Sequence, residues 1–276
     1  MGAGLMGAGM VGNLAAAGHD VRLYARTPEK ARKLPVDLAP GVADAVNGAD
    51  LACSIVTDSA DVREVVVAIL SAERPPPVLV EMSTIAPGVA IELAAECAAR
   101  GVAYCDCPVS GGPAGAEAGT LAIMCGGDTA ALEAARPALD AMGDPAKRHH
   151  LGPVGTGLVA KLVNNMLVGV ITAATAEALG VGQRAGVDPR ALRDVVLSSS
   201  GSSWQLEHRF PGWLAGDFRP GFKTRDLVKD IGHARHLAGR DLPLTDLAAE
   251  LFAREDGELD YGAVVRRFLD VPAHTG

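Results

Sequence analysis

In the first half of the chain, short apolar runs alternate with segments whose apolar residues recur at helical spacing. The apolar runs have the length of strands, and the segments between them are long enough for helices. Strands separated by helices indicate parallel βαβ units. The strand-like runs are DVRLYAR, LACSIV, PVLVEMS, VAYCDCPV and TLAIMCGG.

From about residue 154 the strand-like runs stop and the pattern becomes helical. The run LVAKLVNNMLVGVITAATAEALGVGQRAG predicts one long helix that ends at Gly186. A new helix then begins at DPRALRDVV, with Asp188 as its N-cap and Pro189 in its first turn. We therefore expect an α/β domain over residues 1–152 and an all-helical domain over residues 153–276.

Near the start of the chain, Gly2, Gly4 and Gly7 have the spacing G-x-G-x-x-G. The first glycine permits a tight turn, the second lets a pyrophosphate approach the backbone, and the third lets the following helix pack closely against the sheet. The run after them has one apolar helical face and ends at Gly18, and DVRLYAR follows it. This order predicts a Rossmann-type dinucleotide-binding domain.

This glycine motif normally follows a buried strand, but only Met1 precedes Gly2. In the strand order 3-2-1-4-5-6 the first strand lies between the second and the fourth. We therefore expect a gap of two strand spacings, about 9.6 Å, between DVRLYAR and LACSIV. The hypothesis at this stage is that the native chain has further residues before Met1.

The chain is acidic, with a formal net charge of −8, which argues against a nucleic-acid or anionic membrane surface as partner. Its longest run without charge, residues 162–176, is short for a bilayer and contains Asn164 and Asn165, so we expect no membrane span. No signal peptide is predicted. The five cysteines have no zinc-site spacing, which favours reduced thiols, a cytoplasmic protein and no metal site.

Two further segments carry candidate chemistry. Ser110, Gly111 and Gly112 end an apolar strand, and a hydroxyl beside exposed backbone N–H groups suits the capture of a small carboxylate. The alternative is a glycine-rich loop that only turns the chain. Lys161 and Asn165 lie four residues apart in the most apolar helix, so they share one face.

A lysine among apolar neighbours has a reason to lose its proton near neutral pH. Desolvation lowers a lysine pKa from its usual value of about 10.4 toward the range that suits proton transfer. Lys161 is therefore a candidate general acid/base. The alternative is a lysine at the helix edge whose ammonium group extends to solvent.

Several motifs together resemble those of the β-hydroxyacid dehydrogenase family, whose members include 3-hydroxyisobutyrate dehydrogenases and tartronate semialdehyde reductases. They occur in the family's order over nearly the whole chain, and they are the glycine motif, YART, EMSTIAP, DCPVSGGPAGAEAGTLAIMCGG, GTGLVAKLVNNM and GFKTRDLVKDIGHA. The resemblance implies hydride transfer between a nicotinamide dinucleotide and a small hydroxyacid or semialdehyde. We expect the helical domain to bind substrate, and the exposed helix between the two domains favours a homodimer or homotetramer.

The resemblance implies a role for each candidate residue. Lys161 is expected to be the general acid/base, and Asn165 to hold the same substrate oxygen. The segment from Ser110 to Gly112 is expected to anchor the substrate carboxylate. Lys229 is expected beside both cofactor and substrate, with a surface ion pair to Asp230 as the alternative. The remaining expected cofactor-binding residues are Gly2, Gly4, Leu5, Met6, Gly7, Arg26, Thr27, Val56 and Thr84.

Arg26 favours NADP over NAD, because an arginine at the end of this strand can pair with a 2′-phosphate. Family members that use NADP commonly have Asn before this arginine, whereas this chain has Ala25, so NAD stays possible. Two other functions stay open. One is an imine reductase on the same fold, against which Lys161 counts, and the other is a non-catalytic family member.

Overall fold

The computed structural model describes residues 1–272, so the last four residues of the predicted helical domain lie outside the described part. The chain divides into two compact units, Met1–Lys161 and Leu162–Gly276. The division falls inside a long helix, whereas the sequence predicts a domain boundary ahead of this helix.

The first unit has the predicted alternation of strands and helices. Its elements in order are α1 (Gly7–Ala16), β1 (Arg22–Leu23), β2 (Asp37–Leu38), α2 (Val42–Val46), β3 (Ala52–Ser54), α3 (Ser59–Leu70), β4 (Val78–Glu81), α4 (Pro87–Ala98), β5 (Ala103–Asp106), β6 (Val109–Ser110), α5 (Gly112–Ala118), β7 (Leu121–Cys125), α6 (Thr129–Met142) and β8 (Gly143–His150). Helix α7 (Thr156–Arg184) begins in this unit.

Strands β3, β4 and β5 form a parallel sheet, as the βαβ pattern predicts. Its register aligns Ser54 with Glu81 and Glu81 with Asp106, so three polar side chains lie side by side at the carboxyl ends of the strands. A second sheet contains β6, β7 and β8. In it β6 pairs antiparallel with β7, so the expectation of parallel pairing throughout is wrong at this point.

Two other details of the strand prediction differ from the structure. The run VAYCDCPV is not one strand but two, β5 and β6, and Pro108, which has no N–H to donate, lies between them. The eight residues of β8, GDPAKRHH, form a strand that the sequence did not reveal. This segment lacks apolar alternation because most of its side chains face solvent.

The gap expected between DVRLYAR and LACSIV is present. Strands β1 and β2 form a separate parallel pair, and within residues 1–272 no strand connects them to β3. Met1 and Gly2 bridge the gap at one end, where Gly2 N donates to Tyr24 O (3.1 Å) and Ile55 N donates to Met1 O (3.0 Å). The rest of the gap is a cavity of about 300 Å³, lined by side chains of α1, β1 and β3.

The second unit is helical. It contains most of α7, followed by α8 (Pro189–Leu197), α9 (Trp204–His208), α10 (Phe210–Leu214), α11 (Thr224–Ala238), α12 (Pro243–Phe252) and a 3₁₀ helix (Tyr261–Arg267). The predicted stop and restart are confirmed, because Gly186 has a φ of +87° and the Asp188 side chain accepts from Arg190 N at 3.3 Å. The core of this unit includes the buried aromatic residues Phe210, Trp213, Phe218 and Phe252.

Helix α7 has 29 residues and extends beyond both ends of the uncharged run at residues 162–176, as the helical pattern predicts. By length and composition it could cross a membrane: its most apolar 18-residue window has a mean hydropathy of 1.5, and 44% of that window is buried. The core helix of a soluble protein passes the same test. In this structure Ala173, Ala176 and Leu179 of α7 pack in the core of the second unit.

Candidate active site

The three glycines at the start of the chain have the geometry that a dinucleotide-binding turn requires. Gly2 has a φ of +101°, and a Cβ on it would collide with the carbonyl oxygen of Ile55. A Cβ on Gly7 would collide with the carbonyl oxygen of Gly2, so this glycine permits close packing of α1 on the turn. Gly4 has open space where its Cβ would lie. The turn therefore leaves its backbone accessible at the middle glycine, where a pyrophosphate would approach.

Helix α1 begins directly after this turn. Leu5 is exposed, Met6 is half-buried, and the first turn of α1 contains no acidic residue. Free N–H groups and the helix dipole attract an anion at such a terminus. The geometry of residues 2–7 thus fits a bound pyrophosphate.

A chain of hydrogen bonds links Val56 to Ser83, the residue before Thr84. Val56 N donates to Ser83 Oγ at 2.7 Å, and Ser83 N donates to Glu81 Oε1 at 2.8 Å. Glu81 is fully buried, and its burial raises the pKa of its carboxyl group, although the Ser83 bonds oppose this. Sequence reasoning missed Ser83 and Glu81. The signal that could have revealed them is an acidic residue at the end of a strand buried on both faces.

Arg26 follows the strand β1, and the adjacent Thr27 is exposed. The guanidinium Nη1 of Arg26 lies 2.7 Å from Oδ1 of Asp61, a residue in the first turn of α3. The Arg26 side chain is 72% exposed. The hydrogen bond that Arg26 donates to Asp61, together with the charge of this carboxylate, raises the pKa of Arg26. Arg26 is therefore open to an anionic ligand but already paired with a carboxylate.

Ser110 is the last residue of β6, and Gly112 is the first residue of α5. Gly111 and Gly112 have φ values of +139° and +65°, which residues with a side chain rarely adopt. These two glycines turn the chain sharply from strand to helix, so the structural alternative raised from the sequence is part of the explanation. Ser110 is half-buried and Gly111 is exposed, which leaves the hydroxyl and the backbone N–H groups near solvent.

Asp106 holds the start of α7, the helix that carries Lys161. This carboxylate is fully buried, and it accepts from Gly155 N at 2.7 Å and from Leu158 N at 2.8 Å. A Cβ on Gly157 would collide with the Met124 carbonyl oxygen, so the glycine permits the first turn of α7 to lie close to β7. Lys161 follows Leu158 by three residues and is half-buried. Sequence reasoning missed Asp106.

In the second unit, Asn165 is buried and its orientation is fixed. Asn165 Nδ2 donates to Asp230 Oδ2 at 2.7 Å, and Asn164 Nδ2 donates to Asn165 Oδ1 at 3.0 Å. Lys229 Nζ lies 3.3 Å from Asp230 Oδ1. The ion pair proposed as an alternative thus exists, but it is not a surface pair, because the Asp230 side chain is only 2% exposed. Asp230 links two predicted site residues, Asn165 and Lys229.

The first unit therefore contains a turn that fits a pyrophosphate, an arginine beyond it, and a lysine on a firmly held helix. The second unit contains a buried amide and a lysine that share one carboxylate. A turn of this kind, ahead of a parallel sheet and followed by a helical unit, is typical of a dinucleotide-binding protein. Comparison with known proteins gives the family.

Residues 1–155 match the model of the NAD-binding domain of 6-phosphogluconate dehydrogenase, and residues 155–267 match the NAD-binding domain of NADP-dependent 3-hydroxyisobutyrate dehydrogenase. The chain belongs to the β-hydroxyacid dehydrogenase family. It is 35% identical to a 3-hydroxyisobutyrate dehydrogenase of Pseudomonas aeruginosa, over 97% of each chain. It is 37% identical to an NAD-dependent L-serine dehydrogenase of the same organism, over 91% of this chain and 89% of the relative.

Among solved structures, the 3-hydroxyisobutyrate dehydrogenase of Mycobacterium tuberculosis with L-serine has a TM-score of 0.86 and 33% identity, over 97% of each chain. An imine reductase of Streptomyces aurantiacus is more distant, with a TM-score of 0.62 and 19% identity over 98% of each chain, which shows a shared fold alone. The predicted family and fold class are confirmed. The protein is an NAD(P)-dependent hydroxyacid dehydrogenase.

Proposed function

We propose that this enzyme interconverts a small β-hydroxyacid and its semialdehyde, with NADP as the preferred cofactor and NAD as a possible one. The observation that carries this proposal is the placement of Lys161 on a helix that Asp106 holds through two backbone hydrogen bonds. A relative named for 3-hydroxyisobutyrate and another named for L-serine support the substrate class. Both 3-hydroxyisobutyrate and L-serine have a carboxylate on the α carbon and a hydroxyl on the β carbon.

In oxidation, the bound nicotinamide supplies the hydride acceptor. Lys161 takes the proton of the substrate hydroxyl as the hydride leaves the carbon, and it returns a proton during reduction. Asn165 binds the same oxygen, and its fixed amide costs little reorganisation when the substrate arrives. Lys229 contacts the substrate and the cofactor, while Asp230 limits its motion.

The substrate carboxylate binds at Ser110, Gly111 and Gly112. The serine hydroxyl and the backbone N–H groups of the glycine turn donate to its oxygens, and the absence of side chains on the glycines permits close contact. Anchoring the carboxylate fixes the distance from the reacting carbon to the cofactor. Positioning of this kind supplies a large part of the rate.

The cofactor lies along the first unit. Its pyrophosphate binds at Gly2, Gly4, Leu5, Met6 and Gly7, while Val56 and Thr84 contact the nicotinamide half. Arg26 and Thr27 bind the 2′-phosphate of NADP. The open space beside Gly4 and the exposure of Arg26 support this arrangement.

An imine reductase is the second candidate function. Relatives with that activity lack the catalytic lysine, so Lys161 counts against it. The five free thiols favour a cytoplasmic location.

The first test is a screen of small β-hydroxyacids and semialdehydes with NADP(H) and NAD(H), on the wild type and on Lys161→Ala. We expect kcat of Lys161→Ala to fall by about 10²–10⁴, because proton transfer is lost while binding survives. The matched control is Lys147→Ala, which removes an exposed lysine of β8 that pairs with Asp144.

Cofactor affinity, measured by quenching of intrinsic fluorescence, should change less than two-fold in both variants. A Lys161→Ala enzyme with near-normal kcat would contradict the general acid/base role. Turnover of cyclic imines but of no hydroxyacid would replace the proposed function with the second candidate.

A further inference from the structure

The residue proposed to recognise the 2′-phosphate has a carboxylate as its present partner. Asp61 Oδ1 lies 2.7 Å from Arg26 Nη1, and the Asp61 side chain is 20% exposed. Glu64, one turn further along α3, is exposed and adds negative potential at Arg26. The arginine therefore sits in a locally acidic environment.

This pairing has a consequence for binding of NADP. A phosphate monoester carries a charge of about −1.5 to −2 near pH 7, and it would approach the same guanidinium group. It must either displace the Asp61 carboxylate or bind beside it, and both cost free energy. NAD has a neutral 2′-hydroxyl at that position, so the carboxylate imposes no comparable cost on it.

We propose that Asp61 is a specificity-determining residue, which competes with the 2′-phosphate for Arg26 and so lowers the preference of this enzyme for NADP(H) over NAD(H). The proposal rests on the proposed function, because it assumes that the dinucleotide binds with its adenosine ribose at Arg26. Asp61 lies on α3, 35 residues from Arg26 in sequence, so no motif around the glycine turn contains it.

The expected size of the effect follows from the exposure of the pair. Exposed ion pairs contribute little because water and salt screen them, so removal of Asp61 should tighten NADP(H) binding by about two- to five-fold. Binding of NAD(H) should change less than two-fold. The increase in the NADP(H)/NAD(H) affinity ratio should shrink as the salt concentration rises.

The experiment measures the Kd of NADPH and of NADH by fluorescence titration for the wild type, Asp61→Asn, Arg26→Ala and the double variant. Asp61→Asn should tighten NADPH alone. Arg26→Ala should weaken NADPH more than NADH, and in the Arg26→Ala background Asp61→Asn should have little further effect. The matched control is Glu133→Gln, which removes the carboxylate that forms an exposed ion pair with Arg136 on α6. This variant should change neither Kd.

Asp61→Ala provides a second variant without the carboxylate, and a thermal melt confirms that each variant is folded. An NADPH affinity that is unchanged or weaker in both Asp61 variants would overturn the inference. Equal tightening for NADPH and NADH would also overturn it. If the wild type binds neither dinucleotide, the proposed function fails as well, so the two failures are distinguishable.

Discussion

Two buried carboxyl groups at the ends of neighbouring strands organise the first unit. Glu81 and Asp106 are aligned in register on β4 and β5, and neither is exposed. Burial raises the pKa of both groups. Glu81 orders Ser83 and, through it, Val56, while Asp106 holds the first turn of α7. Glu81 thus positions Val56, and Asp106 positions the helix that carries Lys161, although neither carboxyl group is itself a proposed site residue.

The raised pKa of Glu81 makes stability depend on pH. Because the folded-state pKa lies above the unfolded value of 4.5, the folded protein loses stability as pH rises from 4.5 through the folded-state pKa. Glu81→Gln removes this loss while its amide oxygen still accepts from Ser83 N. We expect the stability of the variant relative to the wild type to increase as the pH rises above 4.5, by about 1.4 kcal/mol per pH unit until the pH passes the folded-state pKa of Glu81.

Denaturant unfolding at several pH values measures this difference. The control is Glu73→Gln, because Glu73 is exposed. A free-energy difference between Glu81→Gln and the wild type that stays constant with pH would show that folding does not shift the pKa of Glu81.

At the scale of elements, the cavity between β1 and β3 is the main departure from a continuous sheet. Met1 and Gly2 bridge these two strands at one end, and apolar side chains of α1, including Met10 and Leu14, line the space between the strands. Buried ladder groups without partners are costly. An extended apolar segment would fill the cavity and pair with both strands.

We predict that fusing about six apolar, β-branched residues ahead of Met1 raises the melting temperature and tightens dinucleotide binding. Apolar burial is worth about 25 cal/mol per Å², so such a strand contributes several kcal/mol before entropy is subtracted. The control is a fused Gly/Ser segment of equal length. Equal melting temperatures and equal NADPH affinities for the two fusions would contradict the prediction.

At the scale of the whole molecule, one feature of α7 bears on assembly. Val163, Leu167 and Val181 are 47%, 49% and 58% exposed, and their spacing places them on one side of the helix. An exposed apolar stripe on one side of a helix suits pairing with a second copy about a two-fold axis. We therefore propose a homodimer built on this face, with a homotetramer as the larger alternative.

Sedimentation velocity tests the assembly. We expect the wild type to sediment as a dimer or larger. We expect Leu167→Glu to raise the dissociation constant of the dimer by at least about ten-fold, because the added charge would be buried in the interface. The control is Val67→Glu on α3, whose side chain is also exposed. A monomeric wild type, or a Leu167→Glu variant with unchanged sedimentation, would contradict the proposal.

Local sequence determined much of this protein. The glycine spacing predicts the turn ahead of α1, and the apolar pattern with Gly186 and Asp188 predicts the end of α7 and the start of α8. These features depend on backbone geometry and on hydrogen bonds between near neighbours in sequence. The expected gap beside β3 also followed from the sequence, because strand order in this fold is fixed.

Only the tertiary structure decided which side chains hold these elements in place. Asp106 reaches Gly155 across 49 positions in sequence, and Asn165 reaches Asp230 across 65. The strand β8 lacks an apolar pattern and is held by pairing with β7. Such contacts depend on where distant segments meet after folding, and local periodicity does not encode that. The sequence therefore predicts candidate site residues, whose roles stay predictions, whereas it did not reveal Asp106 and Asp230, which hold those residues in place.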